Sequence, residues 1–351
     1  MIKLNYHTLE SELEFTFTIS RGSKSISKTI ITEINYEYNG EIFSGIGEAV
    51  FSKFYGEDEE SVKAFYEKII NDKLLEDLDI FNIQDLEIRL EKYSGNYAAK
   101  AGIDIALYDI RAKILKLPLY KYFGLDKSKA PASSYTIGIA DLDTIKQKTL
   151  TALERGYDIL KVKLGCKDDL EIIKTIRKLA PTARIRVDAN CAWTLKESLE
   201  VLAEIKALNI EFVEEPLLQS SSPEEYHELF LKSPLPLMAD ESCKRLLDIP
   251  HCAKYFHMIN LKLTKTGGLT EAIRMIHAAR AHGLKIMLGC FTETNVSISA
   301  MASISPLVDF TDLDGALLLA KDPYANGLFQ KNEIYLHDKV GLGIEISTLR
   351  P

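Results

Sequence analysis

From Ser133 to about Asp314, short apolar runs alternate with amphipathic stretches, and this alternation restricts the chain to very few folds. Eight runs have the length and composition of buried strands: 135–138, 159–165, 184–190, 210–216, 236–242, 258–265, 285–290 and 308–314. Helical periodicity fills the gaps, most clearly over 142–155, 170–179, 195–207 and 269–282. Parallel strands covered by helices are apolar on both faces, and eight such βα units close into a (β/α)8 barrel. A doubly wound open sheet is the alternative, but it normally carries a glycine fingerprint after its first strand. The nearest match, Gly45-Ile46-Gly47-Glu48-Ala49, lacks the third glycine and is followed by no βαβ unit.

The chain ahead of the barrel has a different character. Residues 13–49 alternate in the manner of a small antiparallel sheet, interrupted by the polar, glycine-containing loop 20–25, which is able to reach a ligand elsewhere. Residues 59–123 are helical, with Asn82 ahead of a second segment and an apolar helix over 98–115. The fold class is therefore α/β, a (β/α)8-type barrel with an N-terminal α+β capping domain. Residues 1–130 form the capping domain and 131–321 the catalytic barrel. The tail 322–351, which alternates again over 328–346, returns to the first domain and rejoins its sheet. A length of 351 residues suits such a pair.

Bulk properties exclude several function classes. A net charge of −8 and a pI near 5.5 give nucleic acid no electrostatic footprint to bind. The start of the chain lacks an apolar signal core and no stretch is long and uncharged enough to span a bilayer, so the expected location is cytoplasmic, without a membrane partner. Five cysteines, an odd count without CxxC spacing, argue against a disulfide framework or structural zinc. A homo-oligomer stays open, because apolar surface cannot be told from core by pattern.

In a barrel of this kind the active site lies at the carboxyl ends of the strands. The third strand ends Val187-Asp188-Ala189-Asn190, the fourth Phe212-Val213-Glu214-Glu215-Pro216, and the fifth Met238-Ala239-Asp240-Glu241-Ser242. Any one of these acids could cap a helix. One from each of three adjacent strands makes a hard oxygen cage that suits Mg²⁺. Asp188 and Asp240 are the clear choices, while Glu214 and Glu215 compete for the third place, since alternation turns only one inward.

The second strand, Ile159-Leu160-Lys161-Val162-Lys163-Leu164-Gly165, puts Lys161 and Lys163 on one face. Alone, it reads as an edge strand with a solvated face. Inside a barrel, a buried ammonium must pair or lose its charge, and desolvation beside a second cation lowers a lysine's pKa toward the range of a base. Parity turns Lys262 of the sixth strand inward, and strands two and six stand opposite in a ring of eight. Lys163 and Lys262 are thus expected to face each other across the mouth with the metal between. Two bases on opposite faces of one carbon can remove a proton from one side and return it from the other, through an enediolate that the metal stabilises. The eighth strand ends Phe310-Thr311-Asp312-Leu313-Asp314-Gly315, placing Asp312 and Asp314 on one face, across from the metal, where they suit a substrate ammonium. Cys166, Cys191, Cys243 and Cys290 also follow strand ends, but small packing residues explain them as well and they are assigned no chemistry.

Taken together, these residues resemble the enolase superfamily, and within it the muconate-lactonizing-enzyme subgroup. The resemblance covers nearly the whole chain, including Asp104-Ile105-Ala106-Leu107-Tyr108-Asp109 and Gly341-Leu342-Gly343-Ile344-Glu345. It implies Lys163 and Lys262 as the acid/base pair, Lys161 as the charge that tunes Lys163, and Asp188, Glu214 and Asp240 as Mg²⁺ ligands. The mandelate-racemase branch would need a histidine from the seventh strand, and Lys285-Ile286-Met287-Leu288-Gly289-Cys290 has none. The Asp-x-Asp of Asp312 and Asp314 is similar to the mark of dipeptide epimerases, which hold the substrate's N-terminal ammonium there. The implied reaction is inversion of the α-carbon of the second residue of an L-Ala-X dipeptide, with L-Ala-D/L-Glu the familiar substrate and murein peptide recycling the familiar role. A glutamate side chain would need a cation, from Arg21 or Lys24, whereas a hydrophobic one would meet Phe51, Phe54 or Tyr55. The rival within the subgroup is an o-succinylbenzoate synthase or muconate cycloisomerase, which needs no ammonium site. A catalytically silent binding or structural protein on this scaffold is the rival outside it, against which all five core positions are filled.

Overall fold

The computed structural model describes residues 2–344. The chain opens with three antiparallel strands, β1 (Ile2–Ile19), β2 (Gly22–Tyr38) and β3 (Glu41–Ala49), paired in that order. Residues 20–25 are not the loop that their polarity suggests. Pairing of β1 with β2 runs on through Phe17 opposite Lys24 to Ile19 opposite Gly22, leaving Ser20 and Arg21 as a tight turn. Gly22, at φ 146°, occupies a backbone region closed to other residues and so lets β2 begin at once.

Four helices follow: α1 (Glu59–Asn71), α2 (Ile83–Glu91), α3 (Tyr97–Ile114) and α4 (Leu119–Tyr122). As the sequence suggests, Asn82 caps α2, its side chain accepting from Asp85 N. Helix α3 is buried along most of its length and lies directly on β3. Gly45 and Gly47 permit this contact. A Cβ on Gly47 would stand 1.9 Å from Gly102 O, and one on Gly45 2.1 Å from Ala106 O. The glycine pair that superficially evokes a nucleotide site is thus a notch for a helix backbone. Gly47→Ala is expected to destabilise the protein by about 1–3 kcal/mol, read as a lowered Tm, whereas Gly40→Ala, with nothing within 4 Å of the added atom and strained only by its φ of 81°, should cost less.

The barrel runs β4 (Tyr135–Ile137), α5 (Leu142–Glu154), β5 (Ile159–Lys163), α6 (Asp169–Leu179), β6 (Arg184–Asp188), α7 (Leu195–Ile205), β7 (Ile210–Glu214), α8 (Pro223–Lys232), β8 (Leu237–Ala239), α9 (Ile249–Tyr255), β9 (Met258–Leu261), α10 (Leu263–Thr266), α11 (Leu269–Ala281), β10 (Lys285–Gly289), α12 (Asn295–Ile304) and β11 (Phe310–Asp312). The eight parallel strands are hydrogen bonded in chain order, and a bridge between Ser133 and Thr311 draws the two outer strands together. The strands are shorter than the apolar runs, because the last residues of each run leave the ladder to form the mouth.

The capping domain is fastened to the barrel by charge as well as by packing. Buried Glu48, from β3, accepts hydrogen bonds from Thr294 N, Thr294 Oγ1 and Ser297 N at the start of α12. Among the described residues, the tail adds no strand to the β1–β3 sheet. Instead β12 (Phe329–Gln330) and β13 (Glu333–Ile334) pair with each other. Too few residues alternate between the turn at Lys331 and the next bend for a longer strand. The chain then returns to the first domain through Leu119 N to Gly341 O and Leu342 N to Asp109 Oδ1. The rest of the expected tail, 345–351, lies outside the described residues. Among the described residues no helix is long and apolar enough to cross a membrane.

Candidate active site

Inside the barrel, side chains change from apolar to charged within one step along the strands. Phe212, Met238, Met258 and Met287 form a buried layer with Phe310 packed against it. Two residues further along the same strands, on the same face, stand Glu214, Asp240, Asn260 and Asp312, all buried. The period-two alternation that places apolar residues in the floor therefore places acids at the mouth.

Asp188, Glu214 and Asp240 each offer a carboxylate oxygen within 4.8 Å of the others, and all three are fully buried. Glu214 is thereby distinguished from Glu215. Beyond β7, Glu215 takes a φ of 36°, and its carboxylate accepts from Asp240 N, Ser242 N and Ser242 Oγ, which shapes the end of β8. Burial and the neighbouring Asp188 charge push Glu214 up to about 8. Its Oε1 accepts from Asn260 Nδ2 at 2.8 Å, while Oε2 lies 2.8 Å from Lys161 Nζ. Three converging buried carboxylates, one of them carrying a charge that burial disfavours, make a donor set that fits a hard divalent cation.

The lysines lie among these acids. Lys163 Nζ is 2.6 Å from Asp188 Oδ2, and Lys262 Nζ is 2.7 Å from Asp240 Oδ2. Lys161 sits deeper, 2.7 Å from Asp312, 2.8 Å from Glu214 and 3.3 Å from Asp188. A buried ammonium here must pair or lose its charge, and for Lys161 and Lys262 pairing wins. Desolvation does act downward on both, but Asp312, Glu214 and Asp188 hold Lys161 well above its ordinary value, and Asp240 and Glu214 raise Lys262. The same pairings hold the acids down against the cost of burial: Asp188 falls to about 2 beside Lys163 and Lys161, and Asp240 lies well below the carboxylate range.

Above this cluster opens a cavity of about 570 Å³. Lys163 and Lys262 both line it, as do Asp312, Asp314, Phe54 and Phe291. Asp312 is not remote from the carboxylate triad, since Lys161 links it to Glu214 and Asp188; its other oxygen accepts from Ser134 Oγ at 2.6 Å. Asp314 Oδ2 accepts from Thr136 N at 2.6 Å, and burial and the Asp312 charge push this carboxyl up to about 7. The turn between β1 and β2 brings Arg21 to the rim, where its guanidinium donates to Asn190 O at 2.8 Å and to Glu241 Oε1 at 2.7 Å and stacks 4.1 Å from the Phe54 ring. Lys24 borders the cavity and makes no ion pair with a described residue. Tyr55 lies edge-on to Phe291, whereas Phe51 packs into the capping-domain core. Of the cysteines, Cys290 lines the cavity and Cys191 and Cys243 are buried; all five are free thiols.

Three further residues, not singled out in the sequence, hold the site together. Lys265, fully buried, donates to Asp240 Oδ1 and O at 2.6 Å each and to Asn260 O at 2.9 Å. It reaches them because the chain leaves β9 at Leu261 and forms the single turn α10. Asn260 orients Glu214, and Glu241 anchors Arg21. Asn260 shares its inward parity with Lys262, a signal that could have found it.

Residues 5–124 match the family model of the mandelate racemase / muconate lactonizing enzyme N-terminal domain, and residues 145–349 match the enolase C-terminal domain-like model. The L-Ala-D/L-amino acid epimerase of Maribacter sp. is 39% identical over 327 residues, covering 93% of this chain and 93% of that protein. The L-Ala-D/L-Glu epimerase of Bacteroides thetaiotaomicron is 36% identical over 345 residues, covering 98% of this chain and 88% of its own length. Among solved structures, a dipeptide epimerase from Enterococcus faecalis V583 complexed with Mg and L-Leu-L-Tyr matches with a TM-score of 0.91 at 30% identity, covering 98% of this chain and 99% of that one.

Proposed function

The chain belongs to the enolase superfamily, with the N-terminal domain of the mandelate racemase and muconate lactonizing enzymes, and from that premise we propose that it is a Mg²⁺-dependent dipeptide epimerase. The observation that carries this reading is the convergence of Lys163, Lys262, Asp312 and Asp314 on one cavity. Asp188, Glu214 and Asp240 would hold Mg²⁺, which when bound supplies positive charge to offset that developing on the substrate carboxylate.

The protein's own groups account for the rest. Asp314, with Asp312, receives the N-terminal ammonium, which fixes the dipeptide's direction in the cavity. One lysine, as the free amine, takes the α-proton of the second residue; the opposite lysine, as ammonium, gives its proton to the other face of that carbon. The configuration inverts and the two lysines exchange protonation states, so either epimer can enter the next cycle. Around the second side chain, Phe54, Phe291 and Ile19 offer apolar wall, and Lys24 is the cation placed for an acidic group because Arg21 is committed to Glu241. Incubating L-Ala-L-Xaa dipeptides with Mg²⁺ in D₂O tests the proposal: deuterium should enter the second α-carbon as the D-epimer accumulates, and no exchange on any dipeptide would sink it.

The ammonium site has its own pH signature. With its carboxyl raised to about 7 by burial and by Asp312, Asp314 is neutral below that pH and ionised above it. Affinity for a dipeptide should therefore fall as pH drops through 7, while above about 8 the substrate's amine itself loses its proton. Calorimetric titration at pH 6 and 7.5 should show this rise in the wild type and a flatter response in Asp314→Asn. A cycloisomerase on the same scaffold would bind its substrate without regard to Asp314.

A further inference from the structure

Phe17, Thr136 and Leu318 line the catalytic cavity and also a second, smaller one of about 160 Å³. The far side of this second cavity is formed by Phe15, Tyr135 and the face of α5 that carries Lys148 and Thr151. Thr136 is the hinge between the two spaces. It walls both, and its backbone N–H holds Asp314, the group assigned to the substrate ammonium. In a dipeptide, the side chain of the first residue leaves the same carbon as that ammonium, so it starts beside Thr136 with the second cavity adjacent. A methyl group would leave most of this space unused, since it equals the share of about five liquid water molecules.

The polar character of the cavity is set by one cation. Lys148 is half-buried, its ordinary charge is disfavoured by desolvation, and among the described residues no carboxylate pairs with it, Asp141 acting only from a distance. The carboxylate on the wall, Glu14, is already held by Arg155 through contacts of 2.6 and 3.1 Å, and the remaining ionisable side chain there is the Tyr135 phenol. An incoming anion would find Lys148 free to receive it.

We infer that this second cavity receives the side chain of the substrate's first residue and that Lys148 favours a carboxylate there, so that dipeptides beginning with L-Glu are substrates alongside those beginning with L-Ala. The inference rests on the epimerase reading, because Asp314 fixes where the first residue sits. The test compares kcat/KM for L-Glu-L-Xaa, L-Gln-L-Xaa and L-Ala-L-Xaa, with the second residue held constant, in the wild type, Lys148→Met, Lys148→Arg and Thr151→Phe. The wild type should prefer L-Glu over L-Gln by about tenfold, as a charge-assisted contact provides. Lys148→Arg should keep that ratio and Lys148→Met should bring it to about one, while Thr151→Phe, which fills the space, should lower both long substrates relative to L-Ala-L-Xaa. A wild-type ratio near one, or a ratio that Lys148→Met leaves unchanged, overturns the inference while L-Ala-L-Xaa turnover keeps the epimerase reading standing. Absence of α-proton exchange with all three substrates removes both.

Discussion

Lys163→Met and Lys262→Met are each expected to lower epimerisation by about 10²- to 10⁴-fold, the usual range for loss of a positioned acid or base, yet each should keep half of the chemistry. With one lysine gone, the other can still remove and return the α-proton on its own face. Each variant should therefore exchange the α-proton of one epimer with D₂O and be inert toward the other, and the active epimer should differ between the two. Proton NMR of separate L,L and L,D incubations reads this directly. Exchange of both epimers by either variant would remove that lysine from the proposed pair. The structure also explains why both variants should fold. Asp188 retains Lys161 at 3.3 Å when Lys163 is lost, and Asp240 retains Lys265 at 2.6 Å when Lys262 is lost. Neither substitution leaves a buried carboxylate without a counter-charge, the situation that costs most.

How much of this was legible in the sequence follows from how each residue is held. Asp188 and Lys163 end regular strands and Asp240 directly follows one, and on a regular strand parity alone decides which side chains face the axis. The barrel itself was legible for the same reason: its strands are continuous apolar runs and its helices carry a clear apolar stripe. Parity fails where the backbone leaves the ladder. Glu215 follows β7 at φ 36°, and only that bend tells which glutamate faces inward. Lys265 would point outward on an extended strand, but α10 begins at Leu263 and turns it back onto Asp240. Arg21 meets Glu241 across 220 residues of sequence because β1 and β2 pair to their very ends, a property of register that polar composition conceals. Whether a buried lysine pairs or loses its charge is likewise hidden in one strand. A single strand displays two cations side by side, whereas the folded barrel brings carboxylates from three other strands against Lys161.

Disabling the metal site should be as damaging as removing a lysine, but the three ligands should fail in different ways. Glu214→Gln keeps the shape and a hydrogen-bonding group toward Asn260, and it removes a carboxylate whose charge is already disfavoured by burial and Asp188. It should fold normally, lose the rise in Tm that Mg²⁺ gives the wild type, and lower turnover by about 10³-fold, corresponding to several kcal/mol of transition-state charge stabilisation. Asp240→Asn should behave otherwise. Asp240 is the carboxylate for both Lys262 and Lys265, and Lys265 is fully buried with no other acid in contact among the described residues. Leaving that ammonium uncompensated is expected to cost about 3–5 kcal/mol of stability, visible as a lowered Tm before any metal is added. Chelation of the wild type with EDTA should abolish exchange and Mg²⁺ should restore it, whereas neither treatment should alter the residual activity of Glu214→Gln. If Glu214→Gln were still stabilised by Mg²⁺ as strongly as the wild type, the ion would have to bind elsewhere. The contrast between the two variants separates a ligand that serves the metal from one that also holds the barrel mouth together.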